Sequence, residues 1–216
     1  MARIHVLGGT GFAGAAVVAE GVRRGHEVTS FSRGAPSTPV EGAAYVSGSL
    51  LEDEMVQQAV TDADVVFETI SPRGDMAGRL EGVVADLIAA ADRAGVRLGV
   101  LGGASSVLVA EGGPRLFDVT VDDLPAEVLP EVRTGLALLD ALRAAPESLD
   151  WFYVSPAQEF GAWFPQEVTG SYRISDDVLL TDADGRSAIS AADLAVAVLD
   201  EIERPQHRRR RFHVAH

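Results

Sequence analysis

Apolar residues fall along this chain in two alternating rhythms. Residues 4–7, 27–31, 44–46, 64–70, 97–101 and 151–154 are short runs rich in Val, Ile, Leu and Phe, the pattern of buried strands. Between them lie stretches with apolar residues at helical spacing, such as Val17, Val18 and Val22. They predict helices over 12–24, 52–60, 76–94 and 131–145, with Gly25 and Gly95 as stops. Ser190-Ala191-Ala192-Asp193 resembles a capping box with Asp in place of Glu or Gln, and opens a helix to residue 203. Residues 211–214 form a last strand, and 170–174 and 178–180 are candidates for small extra ones. Residues 107–130, with Gly112-Gly113-Pro114, Pro125 and Pro130, predict irregular chain. Alternation of this kind implies α/β architecture: a Rossmann-type, doubly wound parallel sheet with helices on both faces. The expectation is one domain over 1–216, with a small substrate-side elaboration around 155–182.

Composition narrows the function. The chain has 216 residues, 47% of them hydrophobic, enough for a full core. A net charge of −14 argues against nucleic acid as the main partner, because phosphate binding needs a basic face. There is no cysteine, which excludes disulfide and thiolate chemistry. No apolar run approaches the roughly 18 residues of a membrane span, and the start runs straight into the first strand. These features predict a cytoplasmic protein acting on a small molecule, with a homodimer or a protein partner left open. All 18 basic residues are arginine.

Gly8, Gly11 and Gly14 directly follow the first strand and open the first helix. That is the context of a dinucleotide fingerprint. Gly8 permits the tight turn, Gly11 lets backbone approach a pyrophosphate, and Gly14 lets the helix pack on the sheet. The anion sits where free N–H groups point outward. NAD enzymes carry an acidic residue about 20 positions on, for the ribose 2′-hydroxyl. Here the second strand ends Phe31-Ser32-Arg33-Gly34, with no carboxylate nearby. Arg33 can pair with a 2′-phosphate, with Ser32 adding a hydrogen bond. The expectation is therefore NADP(H) in preference to NAD(H); the alternative is a solvated surface arginine.

Gly8-Gly9-Thr10-Gly11-Phe12-Ala13-Gly14, Ser32-Arg33 and Val46-Ser47-Gly48-Ser49-Leu50 resemble the atypical short-chain dehydrogenase/reductase superfamily. Within it, the chain is most similar to small NAD(P)H-binding proteins of the NADH-flavin reductase-like kind, near the NmrA-like and biliverdin reductase B-like groups. Asp150-Trp151, Ser155-Pro156 and Asp184-Gly185-Arg186 through Asp193-Leu194-Ala195 extend the similarity to the C-terminal part. The resemblance implies cofactor contacts at Gly8, Thr10, Gly11, Phe12, Ala13, Gly14, Ser32, Arg33, Ser49 and Leu50. It also implies that Thr69, Ile70 and Ser71 lie beside the ribose and nicotinamide, and Pro156 near the nicotinamide. The family usually has Asp, bonding adenine, where this chain has Ser49.

Typical members of the superfamily use Tyr-x-x-x-Lys as proton relay. This chain has no lysine, and the residues four past Tyr45, Tyr153 and Tyr172 are Ser49, Ala157 and Asp176. That machinery is excluded. No catalytic residue stands out; Ser105 and Ser106, after the fifth strand, are weak candidates. Phe160, Trp163 and Phe164, with Ser105, could wall an apolar acceptor pocket, or the aromatics could form a minor core. His213 and His216 are not read as a metal site. Arg208–Arg211 reads as a solvated or acid-paired run. A hydride can pass to a flavin or quinone without a dedicated protein acid, so the leading expectation is an NADPH-dependent reductase of such an acceptor, with flavin as a substrate. A non-catalytic NADP(H) redox sensor is one alternative; an epimerase, isomerase or dehydratase of a small carbonyl metabolite is another.

Overall fold

A computed structural model describes all residues from Met1 to His216. Its strands are β1 (Arg3–Leu7), β2 (Glu27–Ser32), β3 (Ala44–Ser47), β4 (Val65–Glu68), β5 (Arg97–Leu101), β6 (Trp151–Ser155), β7 (Arg173–Ser175) and β8 (Arg210–Ala215). Its helices are α1 (Phe12–Arg23), α2 (Asp53–Val60), α3 (Leu80–Ala94), α4 (Leu116–Thr120), α5 (Leu129–Arg143) and α6 (Ala191–Glu203). The strands form one sheet in the order β3-β2-β1-β4-β5-β6-β8-β7, parallel except for the β7–β8 pair. This is the doubly wound α/β fold that the alternation implies. No helix is long and apolar enough to cross a membrane.

Each face of the sheet carries its own core. Val17 and Val18 of α1 pack with Leu194, Val198 and Leu199 of α6 against Ile4, Val6 and Phe67. On the other face Val56, Leu80, Leu87, Leu138 and Leu142, from α2, α3 and α5, cover Leu7, Val66, Leu98 and Tyr153. Strand residues alternate between these two cores, and the central strands β4, β5 and β6 are buried almost throughout.

Three elements depart from the expected boundaries. The fourth strand stops at Glu68, because Thr69 turns both its N–H and its hydroxyl onto the Leu7 carbonyl (2.9 and 2.8 Å). The third long helix begins at Leu80, preceded by a single 3-10 turn, Gly74–Met76. The irregular 107–130 stretch contains the short helix α4, with Asp118 accepting from the Arg115 backbone N–H at its start. Of the two small strands expected, 170–174 is realised as β7, whereas Val178 makes only an isolated bridge to Leu108. The cap at Ser190 forms as read, its hydroxyl oxygen accepting the Asp193 N–H at 3.0 Å.

The polar C-terminal run is anchored throughout. Arg208 pairs with Asp150, Arg210 with Asp176 (2.7 Å), and Arg209 donates to the carbonyls of Ala145, Pro146 and Leu149. Buried Arg97 donates to the Glu201 carboxylate at 2.6 Å and lies over the Phe152 ring at 4.5 Å. Glu201 also binds His207 Nδ1 at 2.7 Å. Removing one partner of such a pair leaves a buried charge uncompensated. Glu201→Ala is expected to destabilise the fold by about 3 kcal/mol, read from urea unfolding midpoints, because buried Arg97 loses its closest carboxylate and keeps only Asp150, at 3.3 Å. A loss below about 1 kcal/mol, the level of an exposed pair, would contradict this account.

Candidate functional site

The strand order reverses between β1 and β4, so the loops leaving their carboxyl ends diverge and open a crevice there. The glycine loop lies in it. Gly8, at φ +80°, adopts a backbone conformation that disfavours L side chains, and its N–H donates to the Phe31 carbonyl at 2.8 Å. Gly11 N–H returns to the Gly8 carbonyl at 2.9 Å and closes the turn. A Cβ on Gly14 would fall 2.3 Å from the Gly8 oxygen and 2.7 Å from Thr69 Oγ1. Only glycine lets α1 approach this closely.

Gly11 caps α1 without a side-chain hydrogen bond, and the first turn holds no acidic residue. The N–H groups of Phe12, Ala13 and Gly14 donate to no protein acceptor. Three free donors at the positive end of a helix, beside an exposed glycine, form a cradle suited to a diphosphate. These residues fit a dinucleotide.

Ser32, Thr69, Ile70 and Phe160 meet this loop or the start of α1. Ser32 Oγ accepts the Thr10 N–H at 3.3 Å, joining the end of β2 to the loop. Arg33 is exposed and forms an ion pair with Asp75 on the Gly74–Met76 turn. Thr69 and Ile70 border Gly8 from the β4 side, and Ser71 follows exposed. Leu50 is buried in the core on the α2–α3 face. The Ser49 hydroxyl accepts from Leu51 N–H at 3.3 Å, a local turn contact. Pro156 is buried just past β6. The Phe160 ring lies 5.4 Å from that of Phe12, which brings the segment after β6 onto the start of α1. Phe160 packs partly against the α1–α6 core, while Trp163 and Phe164 remain exposed (58% and 41%). Within the aromatic segment one ring thus joins the core and two face out. Arg73 lies over Trp163 at 4.6 Å and bonds Glu131 at 2.7 Å.

The two serines after β5 diverge. Ser105 is half-buried and makes no hydrogen bond within the protein. Ser106 is buried, its hydroxyl shared with Ser155 Oγ and Arg211 Nη1 (both 3.2 Å). It lines a cavity of about 230 Å³ on the α5 face, with Arg143, Asp177 and Arg211. Two of the three tyrosines spend their hydroxyl protons within the protein. Tyr45 accepts Val40 N–H at 2.9 Å, Tyr153 donates to the Gly135 carbonyl at 2.8 Å, and Tyr172 donates to Asp200 at 2.5 Å. His213 Nδ1 meets the Ser155 carbonyl at 2.9 Å, and His216 meets Asp193 at 2.8 Å.

Sequence reading missed Glu68. It ends β4 fully buried, in one row across the sheet with Val100 and Tyr153. Oε1 accepts the Ile70 N–H at 2.5 Å and Oε2 has no partner. Burial pushes this carboxyl up to about 8, with the Ile70 N–H acting weakly the other way. At neutral pH it is therefore largely a neutral acid tethering the 69–71 loop. The signal was a lone acidic residue closing the run Val65-Val66-Phe67.

Comparison with known proteins agrees with this geometry. Residues 8–205 match the family model described as NAD(P)H-binding. The protein YwnB of Bacillus subtilis strain 168, uncharacterized, is 33% identical over 217 residues, spanning 98% of this chain and 97% of that protein. A Streptococcus pneumoniae TIGR4 structure, provisionally named an NADH-flavin reductase, superposes with TM-score 0.83 at 30% identity, covering 100% of this chain and 99% of that one. A Bacteroides thetaiotaomicron structure, provisionally named an epimerase, gives TM-score 0.86 at 30% identity, covering 100% and 97%.

Proposed function

This chain belongs to the NAD(P)H-binding family, and on that premise we propose that it is an NADPH-dependent reductase of a flat acceptor, a flavin or quinone. One observation carries the choice of acceptor: the chain has no lysine to pair with a tyrosine, Tyr153 and Tyr172 spend their hydroxyl protons on protein acceptors, and Tyr45 lies on the edge strand β3, two strands from β1. Simple ketones and aldehydes need that proton as the alkoxide forms. Flavins and quinones spread the incoming charge and take their proton from water. The name of the pneumococcal relative points the same way.

In this reading the loop of Gly8, Thr10, Gly11, Phe12, Ala13 and Gly14 holds the pyrophosphate. Ser32 and Arg33 hold the 2′-phosphate, and Ser49 and Leu50 border the adenine. Thr69, Ile70, Ser71 and Pro156 enclose the ribose and nicotinamide. Bound NADPH supplies a hydride, two electrons with one proton; the acceptor gains that hydride plus one proton from solvent. The protein's part is to hold and orient, with Phe160, Trp163 and Phe164 walling the acceptor and Ser105 offering a hydroxyl.

The test is an acceptor panel with NADPH: FMN, riboflavin, quinones and small ketones. Flavins or quinones are expected to turn over and ketones to fail. Trp163→Ala should raise the acceptor KM about two- to tenfold, the value of one aromatic stacking contact, and move the NADPH KM less. Fast ketone reduction without flavin or quinone activity would mean that another group donates the proton. Firm NADPH binding with no turnover of any acceptor would favour a non-catalytic redox sensor.

A further inference from the structure

Arg33 and Asp75 stand on opposite sides of the glycine loop. Arg33 follows β2 and Asp75 lies beyond β4, and these strands flank β1 in the sheet. Their ion pair spans the crevice at the place where the strand order reverses. Asp75 is not on a loose tether. Met76 beside it is 3% exposed, and Arg73, two residues before, is fixed by Glu131 and by the Trp163 ring.

We infer that Asp75 is a specificity residue that opposes Arg33 in cofactor choice, an inference resting on the reading of Arg33 as the 2′-phosphate partner. Asp75 already occupies Nη1 of the guanidinium, while Nη2 and Nε make no hydrogen bond within the protein. A 2′-phosphate must share Arg33 with this carboxylate or displace it, and in both cases like charges meet at short range. A ribose 2′-hydroxyl meets the reverse situation, since it can donate to the carboxylate, as in sites that prefer NAD(H). Arg33 favours the phosphate and Asp75 the hydroxyl. The discrimination between the two cofactors is therefore smaller than Arg33 alone would produce.

The experiment compares adenosine 2′,5′-bisphosphate with adenosine 5′-monophosphate by calorimetry on the full chain. Arg33→Ala should weaken the bisphosphate about 10- to 150-fold, the value of a charge-assisted contact, and spare the monophosphate. Asp75→Asn should tighten the bisphosphate about fivefold, the value of one exposed ion pair, without tightening the monophosphate. NADPH and NADH should follow the same pattern. An unchanged bisphosphate affinity in Asp75→Asn, beside a selective loss in Arg33→Ala, would overturn the role of Asp75 and leave Arg33 as the phosphate reader. Equal tightening of both ligands would also overturn it, because the charge would then act on the shared 5′-phosphate. Equal weakening of both ligands by Arg33→Ala would overturn the underlying reading, and the inference with it.

Discussion

Gly11→Val is expected to abolish dinucleotide binding in a protein that still folds. The backbone at Gly11 is extended, φ −80° and ψ 176°, a conformation that valine adopts readily. A Cβ there meets only the Gly8 carbonyl oxygen, at 3.2 Å, which asks for a shift of a few tenths of an ångström. The branched side chain then stands in front of the free N–H groups of Phe12, Ala13 and Gly14, where the pyrophosphate must approach. The expected loss in affinity for NADPH and NADH alike is at least about 100-fold, or roughly 3 kcal/mol. Gly14→Ala makes the contrast. Its methyl group would fall 2.3 Å from the Gly8 oxygen, so its damage should appear in the melting curve as well as in binding. Calorimetry showing native affinity in folded Gly11→Val would remove the glycine loop from the cofactor site.

Stability is expected to fall as pH rises toward 8, with Glu68 as a main cause. Burial raises the native carboxyl to about 8, whereas in the unfolded chain it titrates near its ordinary value of 4.5. Between those values the unfolded chain has released a proton that the native protein still holds. Rising pH therefore favours unfolding, and the contribution is fully present only below the unfolded value. Across that window the slope is roughly 1 kcal/mol per pH unit. His213 acts in the opposite sense and at lower pH. Burial depresses its imidazole to about 4, so its contribution is lost as pH falls from its ordinary value of 6.5. Glu68→Gln keeps an oxygen for the Ile70 N–H and removes the titration. Urea midpoints from pH 5.5 to 8 should show the wild type losing stability relative to the variant as pH rises. Parallel profiles would mean that Glu68 is already ionised in the fold.

Most of the sheet was legible because its central strands are buried on both faces and bounded by glycine or polar turns. Residues 4–7, 97–101 and 151–154 needed no tertiary information. β7 was harder, since three residues become a strand only by pairing with β8 some 40 positions later in the chain (Arg173 faces Ala215). The glycine loop was legible as a strand, turn and helix contiguous in sequence. Arg33 was visible, but its partner Asp75 was not, since the pair joins loops separated by the whole of β3, α2 and β4. Ser106 looked like an open polar group beside the crevice. Its burial against Ser155 and Arg211 follows from the course of β8, the last strand in sequence order. Glu68 was overlooked because apolar periodicity averages over a single acidic residue.

The pairing of the first helix with the last has a consequence for how the chain is made. The apolar stripe of α1, Val17 and Val18, is covered by Leu194 and Val198, and Arg24 at its end bonds Asp200 at 2.6 Å. During synthesis β1 and α1 leave the ribosome long before α6, which covers them. At ordinary elongation rates that interval is on the order of ten seconds or more. For that time the nascent glycine loop rests on a helix with one unprotected greasy side, the kind of surface a chaperone holds. The core under the glycine loop is thereby completed only once α6 has emerged.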